Sequence, residues 1–156
     1  MLLINNAGVL APVGSLVDQD VDAVARAVVS VNVAAQVTAA DRRIVHISSG
    51  AARNAYPGWS VYCATKAALD HHARAVASDG NVGLRIGSVA PGVVDTDMQA
   101  EIRGIGLERF PMRERFETLK REGKLATPEE SARKLIDHVM SDDFGSTPTS
   151  DVRDLA

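Results

Sequence analysis

The sequence predicts an α/β domain built on a small, open, parallel sheet. Three apolar runs, Leu2 to Ile4, Ile44 to Ile47 and Val82 to Ala90, lack the in/out alternation of a half-exposed strand, which marks strands covered on both faces. Each ends in a loop rich in Asn, Ser or Gly. The stretches between them carry apolar residues at helical spacing, which calls for right-handed helical crossovers between parallel neighbours. Length and composition agree: 156 residues at 46% hydrophobic and 24% charged make one domain, residues 1–156, able to bury a core.

The first run, after Met1, ends at Asn5-Asn6-Ala7-Gly8. Small and amide side chains there let a ligand approach the carboxyl end of a strand, the usual ligand edge of an open α/β sheet; the same residues also suit a plain turn. From Asp18 or Asp20 onward, Val21, Val24, Ala25, Val28 and Val31 recur at helical spacing, with the acidic residues at the positive end of the helix. Asn32 falls within this helix or just beyond it.

Ile44 to Ile47 follows Arg42-Arg43 and runs into Ser48-Ser49-Gly50. Ser48 reads as a turn residue whose hydroxyl bonds the backbone. The loop Tyr56-Pro57-Gly58-Trp59 carries the chain's only tryptophan, either an aromatic wall for an apolar substrate or a packing residue. A long helix from Tyr62 to Ser78 is closed by the turn Asp79-Gly80-Asn81. The third apolar run leads into Pro91-Gly92-Val93-Val94-Asp95-Thr96, where Pro91 stops strand pairing, Gly92 permits close approach and Thr96 supplies a hydroxyl.

Residues 99–126, charged and interrupted by Gly104, Gly106, Pro111 and Gly123, suit a mobile substrate lid with short helices. Gly104-Ile105-Gly106 is not a nucleotide fingerprint, because Arg109 stands at the third glycine position. Thr127-Pro128-Glu129-Glu130 is a helix start with Thr at the cap, Pro next and Glu three residues on. That helix runs to about Met140, and Thr147 to Leu155 adds a last short strand.

The chemistry-bearing pattern is Tyr62-Cys63-Ala64-Thr65-Lys66. Four residues apart on a helix, Tyr62 and Lys66 share one face. A nearby ammonium lowers a phenol from its ordinary value of about 10 toward neutrality, where it can act as a general acid or base. Ser49 can offer a hydroxyl to the same reacting oxygen. Alone, Tyr-x-x-x-Lys is a common accident, and a tyrosine opening an alanine-rich helix is usually packing. Other chemistries find less support. Cys63 is the only cysteine, so neither an intrachain disulfide nor a cysteine zinc cluster can form. His71 and His72 point about 100° apart on a helix, unlike a metal-binding pair, so no metal is expected. A net charge of −3 with interspersed signs gives no footprint for nucleic acid. No apolar run approaches the roughly 20 residues of a membrane span, and Met-Leu-Leu-Ile lacks the basic flank and length of a signal peptide; the expected location is cytoplasmic.

Taken in order, Asn5-Asn6-Ala7-Gly8, Ile47-Ser48-Ser49-Gly50, Tyr62-x-x-x-Lys66 and Pro91-Gly92-Val93-Val94-Asp95-Thr96-Asp97-Met98 resemble the short-chain dehydrogenase/reductase family, over Leu2 to Leu155. Tyr56-Pro57-Gly58-Trp59, Ala90 to Gln99 and Glu122-Gly123-Lys124-Leu125 look most like its branch of sepiapterin and benzil reductases, which reduce carbonyls and vicinal dicarbonyls with NADPH.

The resemblance implies a partial Rossmann-like, doubly wound parallel sheet, the C-terminal part of the family fold. Tyr62 would be the proton donor, Lys66 its electrostatic partner and a nicotinamide-ribose ligand, Ser49 a hydrogen-bond partner of the substrate carbonyl, and Asn32 a support of the proton relay or simply a surface residue. Asn5, Asn6, Ala7 and Gly8 would lie by the cofactor's ribose and adenine, with Pro91, Gly92, Val94 and Thr96 at the nicotinamide. NADP(H) is the implied cofactor, with NAD as the alternative, and a small-molecule carbonyl is the substrate. The family's opening Thr-Gly-x-x-x-Gly-x-Gly is absent from this sequence, and Ala34 to Arg43 is shorter than its counterpart by two to three helical turns, on the order of 10 Å of rise. The expectation is therefore an N-terminally truncated reductase, or a binding or assembly module without activity. The apolar first strand also expects a neighbour, which makes a homo-oligomer the expected state.

Overall fold

The computed structural model of the chain describes residues 2–5 and 41–155. Strands β1 (Leu2–Asn5), β2 (Arg42–Ile47), β3 (Leu84–Ala90) and β4 (Thr149–Asp151) form one sheet in the order β1-β2-β3-β4. Every neighbouring pair is parallel, with Ile4 opposite Val45, His46 opposite Ser88 and Val89 opposite Ser150. The three expected apolar runs are thus neighbours in one parallel sheet, and the fold is α/β. The helices are α1 (Ser60–Ser78), α2 (Asp97–Gly104), α3 (Arg113–Arg121) and α4 (Pro128–Met140). The helix expected from Asp18 or Asp20 lies outside the described residues.

Alternation along the strands assigns the two faces of the sheet. Val45, Ile47 and Val89 pack with Leu135 and Val139 of α4, and with Phe144, Val152 and Leu155. The intervening residues face α1: His46 meets His72, and Ser48 and Ser88 meet Asp70. Helices therefore cover opposite faces, as in a doubly wound sheet. Gly87 fits this layering, because a Cβ there would stand 2.8 Å from the Phe144 ring. α4 begins as its residues dictate. Thr127 Oγ1 accepts from the Glu130 N–H and the Glu130 carboxylate accepts from the Thr127 N–H, with Pro128 in the first turn.

Several boundaries differ from the sequence reading: α1 starts at Ser60 and not Tyr62, and the last strand takes only Thr149–Asp151 of the expected 147–155. β3 starts at Leu84, not Val82, which is almost fully exposed. The Asp79-Gly80-Asn81 turn carries on to Gly83: Leu84 N–H donates to the Asn81 carbonyl, and Gly80 and Gly83 both take positive φ. Arg42 and Arg43 belong to β2 instead of preceding it, and Arg43 donates from the α4 face to the carbonyls of Val139 and Ser141.

The stretch read as a lid packs as a second core. Ile102 of α2, Phe116 of α3 and Phe110 from the connection between them join Trp59, Tyr62 and Ala51. Trp59 stacks on Phe110 with centroids 4.5 Å apart and meets Tyr62 edge-on at 5.2 Å, the geometries that aromatic quadrupoles favour.

Candidate active site

At the carboxyl end of the sheet lies a cavity of about 680 Å³. Its polar wall holds Ser49, Tyr62, Lys66 and the loop Pro91, Gly92, Val94 and Thr96; Tyr56, Trp59, Met98, Ile102 and Phe116 make the apolar wall. The structure thus brings together the expected residues from the Ser49 loop, the Tyr-x-x-x-Lys helix and the Pro-Gly loop. Asn5 is the last residue of β1 and pairs with His46 in the register, at the same end of the sheet. Asn6, Ala7, Gly8 and Asn32 lie outside the described residues.

Each side chain is set by local structure. Ser49 is in extended backbone and caps a short 3-10 turn, Gly50–Ala52, its Oγ accepting from the Ala51 N–H at 3.2 Å. Tyr62 and Lys66 occupy the first turns of α1, and the Lys66 Nζ lies 5.8 Å from the Tyr62 ring centroid. Lys66 donates to the Ile47 carbonyl at 2.8 Å, which ties α1 to the end of β2. The Pro-Gly loop is pinned from the opposite face: the Ser131 hydroxyl of α4 donates to the Pro91 carbonyl at 2.8 Å. Val94 makes a parallel bridge with Ala126, and Thr96 is the residue before α2.

The electrostatics correct one expectation. Instead of falling toward neutrality, the Tyr62 phenol is pushed above its ordinary value, because burial among Trp59 and its neighbours disfavours phenolate; a hydrogen bond with Ser49 acts in the opposite sense. Lys66, buried with it, falls to about 8 through desolvation, opposed by Asp70. The site thus holds a protonated phenol beside an amine that is readily charged or discharged near neutral pH. Such a pair is suited to giving a proton to an oxygen that becomes negative.

A second correction concerns Ser48. Its hydroxyl does not close a turn on the backbone; it donates to Asp70 Oδ1 at 2.5 Å, deep under the site. Asp70 itself was not among the expected site residues. Its signal was available, since it stands one helical turn beyond Lys66 on the same face. Trp59 fulfils both readings offered for it, lining the cavity while packing in the aromatic core. Among the described residues no cluster of three or more metal-ligand side chains occurs, and no helix is long and apolar enough to cross a membrane.

Residues 1–104 match the family model described as short chain dehydrogenase. The chain belongs to the short-chain dehydrogenase family. Benzil reductase ((S)-benzoin forming) of Bacillus cereus is 42% identical over 107 residues, which cover 67% of this chain and 43% of that protein. Sepiapterin reductase of Meriones unguiculatus is 37% identical over 105 residues, covering 67% and 39% respectively. A solved short chain dehydrogenase from Burkholderia cenocepacia in complex with NADP superposes with a TM-score of 0.66 at 26% identity, covering 97% of this chain and 62% of that one. The chain therefore spans less than half the length of these two curated relatives.

Proposed function

We propose that this chain carries the carbonyl-reducing half of an NAD(P)H-dependent reductase, with NADP(H) preferred and a ketone or vicinal dicarbonyl as substrate. The observation that carries this reading is the shared cavity: Ser49, protonated Tyr62 and Lys66 face an apolar wall of Trp59, Met98 and Phe116. The likeness to benzil and sepiapterin reductases and to an NADP complex supports the choice of substrate and cofactor.

The residues present fit the nicotinamide end of the cofactor. An amine and a phenol for the ribose stand across the cavity from a loop whose Gly92, at φ +79°, has no side chain to obstruct close approach. Lys66, Tyr62, Pro91, Gly92, Val94 and Thr96 would hold that end, while the family resemblance implies Asn5, Asn6, Ala7 and Gly8 as the ligands of the ribose and adenine side. When bound, the cofactor supplies the hydride. Ser49 donates to the substrate oxygen and orients it, and Tyr62 gives up its phenolic proton as negative charge develops there. Lys66 as ammonium stabilises the phenolate left behind. The aromatic wall excludes water and accepts an aryl or alkyl flank of the carbonyl.

A binding or assembly role without turnover is the second reading, favoured by the exposed apolar Leu2 and Ile4 on β1, an edge of the sheet among the described strands. One pair of measurements separates them: a fluorescence titration of NADPH with the purified chain, and the consumption of NADPH with an aromatic 1,2-diketone. Saturable binding with turnover that falls by about 10²- to 10⁴-fold in Tyr62→Phe is expected. A loss of less than about tenfold removes Tyr62 as the acid, and an absence of cofactor binding favours the second reading.

A further inference from the structure

Beneath the site lies a carboxylate to which the chemistry above assigns no part. Asp70 is 2% exposed, and such a charge is tolerated only where its oxygens are satisfied. Here they are. Oδ1 accepts from Ser48 at 2.5 Å and from Ser88 at 2.8 Å, while Oδ2 accepts from the Arg53 Nε at 3.0 Å. Arg53 reaches on to the Ser150 carbonyl at 3.1 Å. One side chain of α1 thereby joins the ends of β2, β3 and β4 to the loop that follows Ser49.

Two consequences bear on the reacting groups. Ser48 precedes Ser49 directly, its N–H bonded to the Val89 carbonyl at 2.8 Å and its hydroxyl to Asp70. The Ser49 side chain is itself bonded to Ala51, so the peptide that presents Ser49 is fixed on both sides. Asp70 also lies one turn beyond Lys66, where a carboxylate favours the ammonium over the neutral amine.

We propose that Asp70 is a positioning residue of this site: it anchors the Ser48–Ser49 strand end and keeps Lys66 in its charged form beside Tyr62. Among the described residues the groups facing Lys66 include Tyr62 and Asp70 on α1, and on β2 His46 and the Ile47 carbonyl; Arg53 pairs with Asp70 and competes with Lys66 for its charge. His46 protonates only near pH 4 and so is neutral in the range where Lys66 titrates. Among the described residues the negative charge that favours the Lys66 ammonium is that of Asp70, which Arg53 shares. The proposal rests on the reading of Ser49, Tyr62 and Lys66 as the reacting groups, but its test needs neither cofactor nor substrate.

The chain contains four lysines, Lys66, Lys120, Lys124 and Lys134, so lysine side-chain carbon resonances can each be followed through a pH titration of the whole chain. A Lys66→Arg sample identifies the Lys66 signal, whose midpoint is expected at about 8. Asp70→Asn keeps the size of the side chain and removes its charge; the midpoint should fall by about one pH unit. Arg53→Gln, which alters a partly exposed side chain, should move it upward. An Asp70→Asn protein with native amide spectra and an unmoved Lys66 midpoint overturns the proposal. Where that variant does not fold, Arg53→Gln decides alone: a midpoint that stays or falls overturns it. A parent chain that shows no turnover while the variants shift the midpoints as expected counts against the reductase reading and leaves the role of Asp70 standing.

Discussion

Acidification should destabilise this chain through one histidine. His46 is 2% exposed, shares a ring-nitrogen contact of 2.9 Å with His72, and is held down to about 4, first by burial and then by His72. In the unfolded chain the same imidazole titrates near its ordinary 6.5. Between those values the unfolded state binds a proton that the folded state refuses, so the His46 contribution is intact above about pH 6.5 and is lost as the pH falls toward 4. Two and a half pH units at about 1.4 kcal/mol each amount to about 3 kcal/mol, a large part of the 5–15 kcal/mol typical of a domain. His138, also lowered by burial, loses its contribution as the pH falls through this window, and the lowered carboxylates of Asp41, Glu122, Glu130 and Asp151 lose theirs at its acid end and below, so the parent must be compared with His46→Gln. Urea unfolding of both at a series of pH values isolates the difference, because the other groups are common to the pair. The stability curve of the parent should fall more steeply by about 3 kcal/mol over that window. Parallel curves would refute the reasoning.

The Pro57-Gly58 turn gives a second expectation. Gly58 adopts φ +80°, and a Cβ there would collide with the Arg109 carbonyl; Gly58→Ala should lower unfolding stability by at least about 2 kcal/mol, and a change within about 0.5 kcal/mol would argue against that packing. The exposed edge gives a third. Leu2 and Ile4 are 39% and 47% exposed on β1, which bonds β2 alone among the described strands, so the chain should self-associate in light scattering. Ile4→Lys should shift it toward the monomer; equal masses for both proteins would remove β1 as the contact.

What could be read from the sequence was what depends on neighbours in the chain. The Thr127 to Glu130 cap is complete within four residues, and Tyr62 and Lys66 share a face because of helical spacing alone. The parallel sheet followed from unbroken apolar runs. Asp70 was in view one turn beyond Lys66, but its pairing with Ser48 was hidden: which hydroxyl meets which carboxylate depends on how α1 lies across the sheet, and no local pattern encodes that. The same holds for Phe110 and Phe116. They sit in a charged stretch broken by glycines, and only the arrival of Trp59 from another loop makes them core. The raised value of Tyr62 had the same origin. Charge proximity along a helix was visible, whereas the aromatic enclosure that outweighs it is assembled from distant segments.

The division of β2 and β3 into two opposite-facing sets has a consequence for how such a protein can change over generations. A side chain on either face can be exchanged singly, and its effects stay within one layer. Removing or adding one residue in 42–47 acts on every position after it, because the faces alternate with a period of two. Val45 and Ile47 would turn toward Asp70, while His46 and Ser48 would turn into the oily space beneath Val139. Gain or loss of a single codon there, a slip of strand register, would thus strip the carboxylate of its hydroxyl partner and bury two polar groups without one. Length variation in this family member should accordingly accumulate in exposed connections such as 79–82 and spare these six residues even where their identities drift.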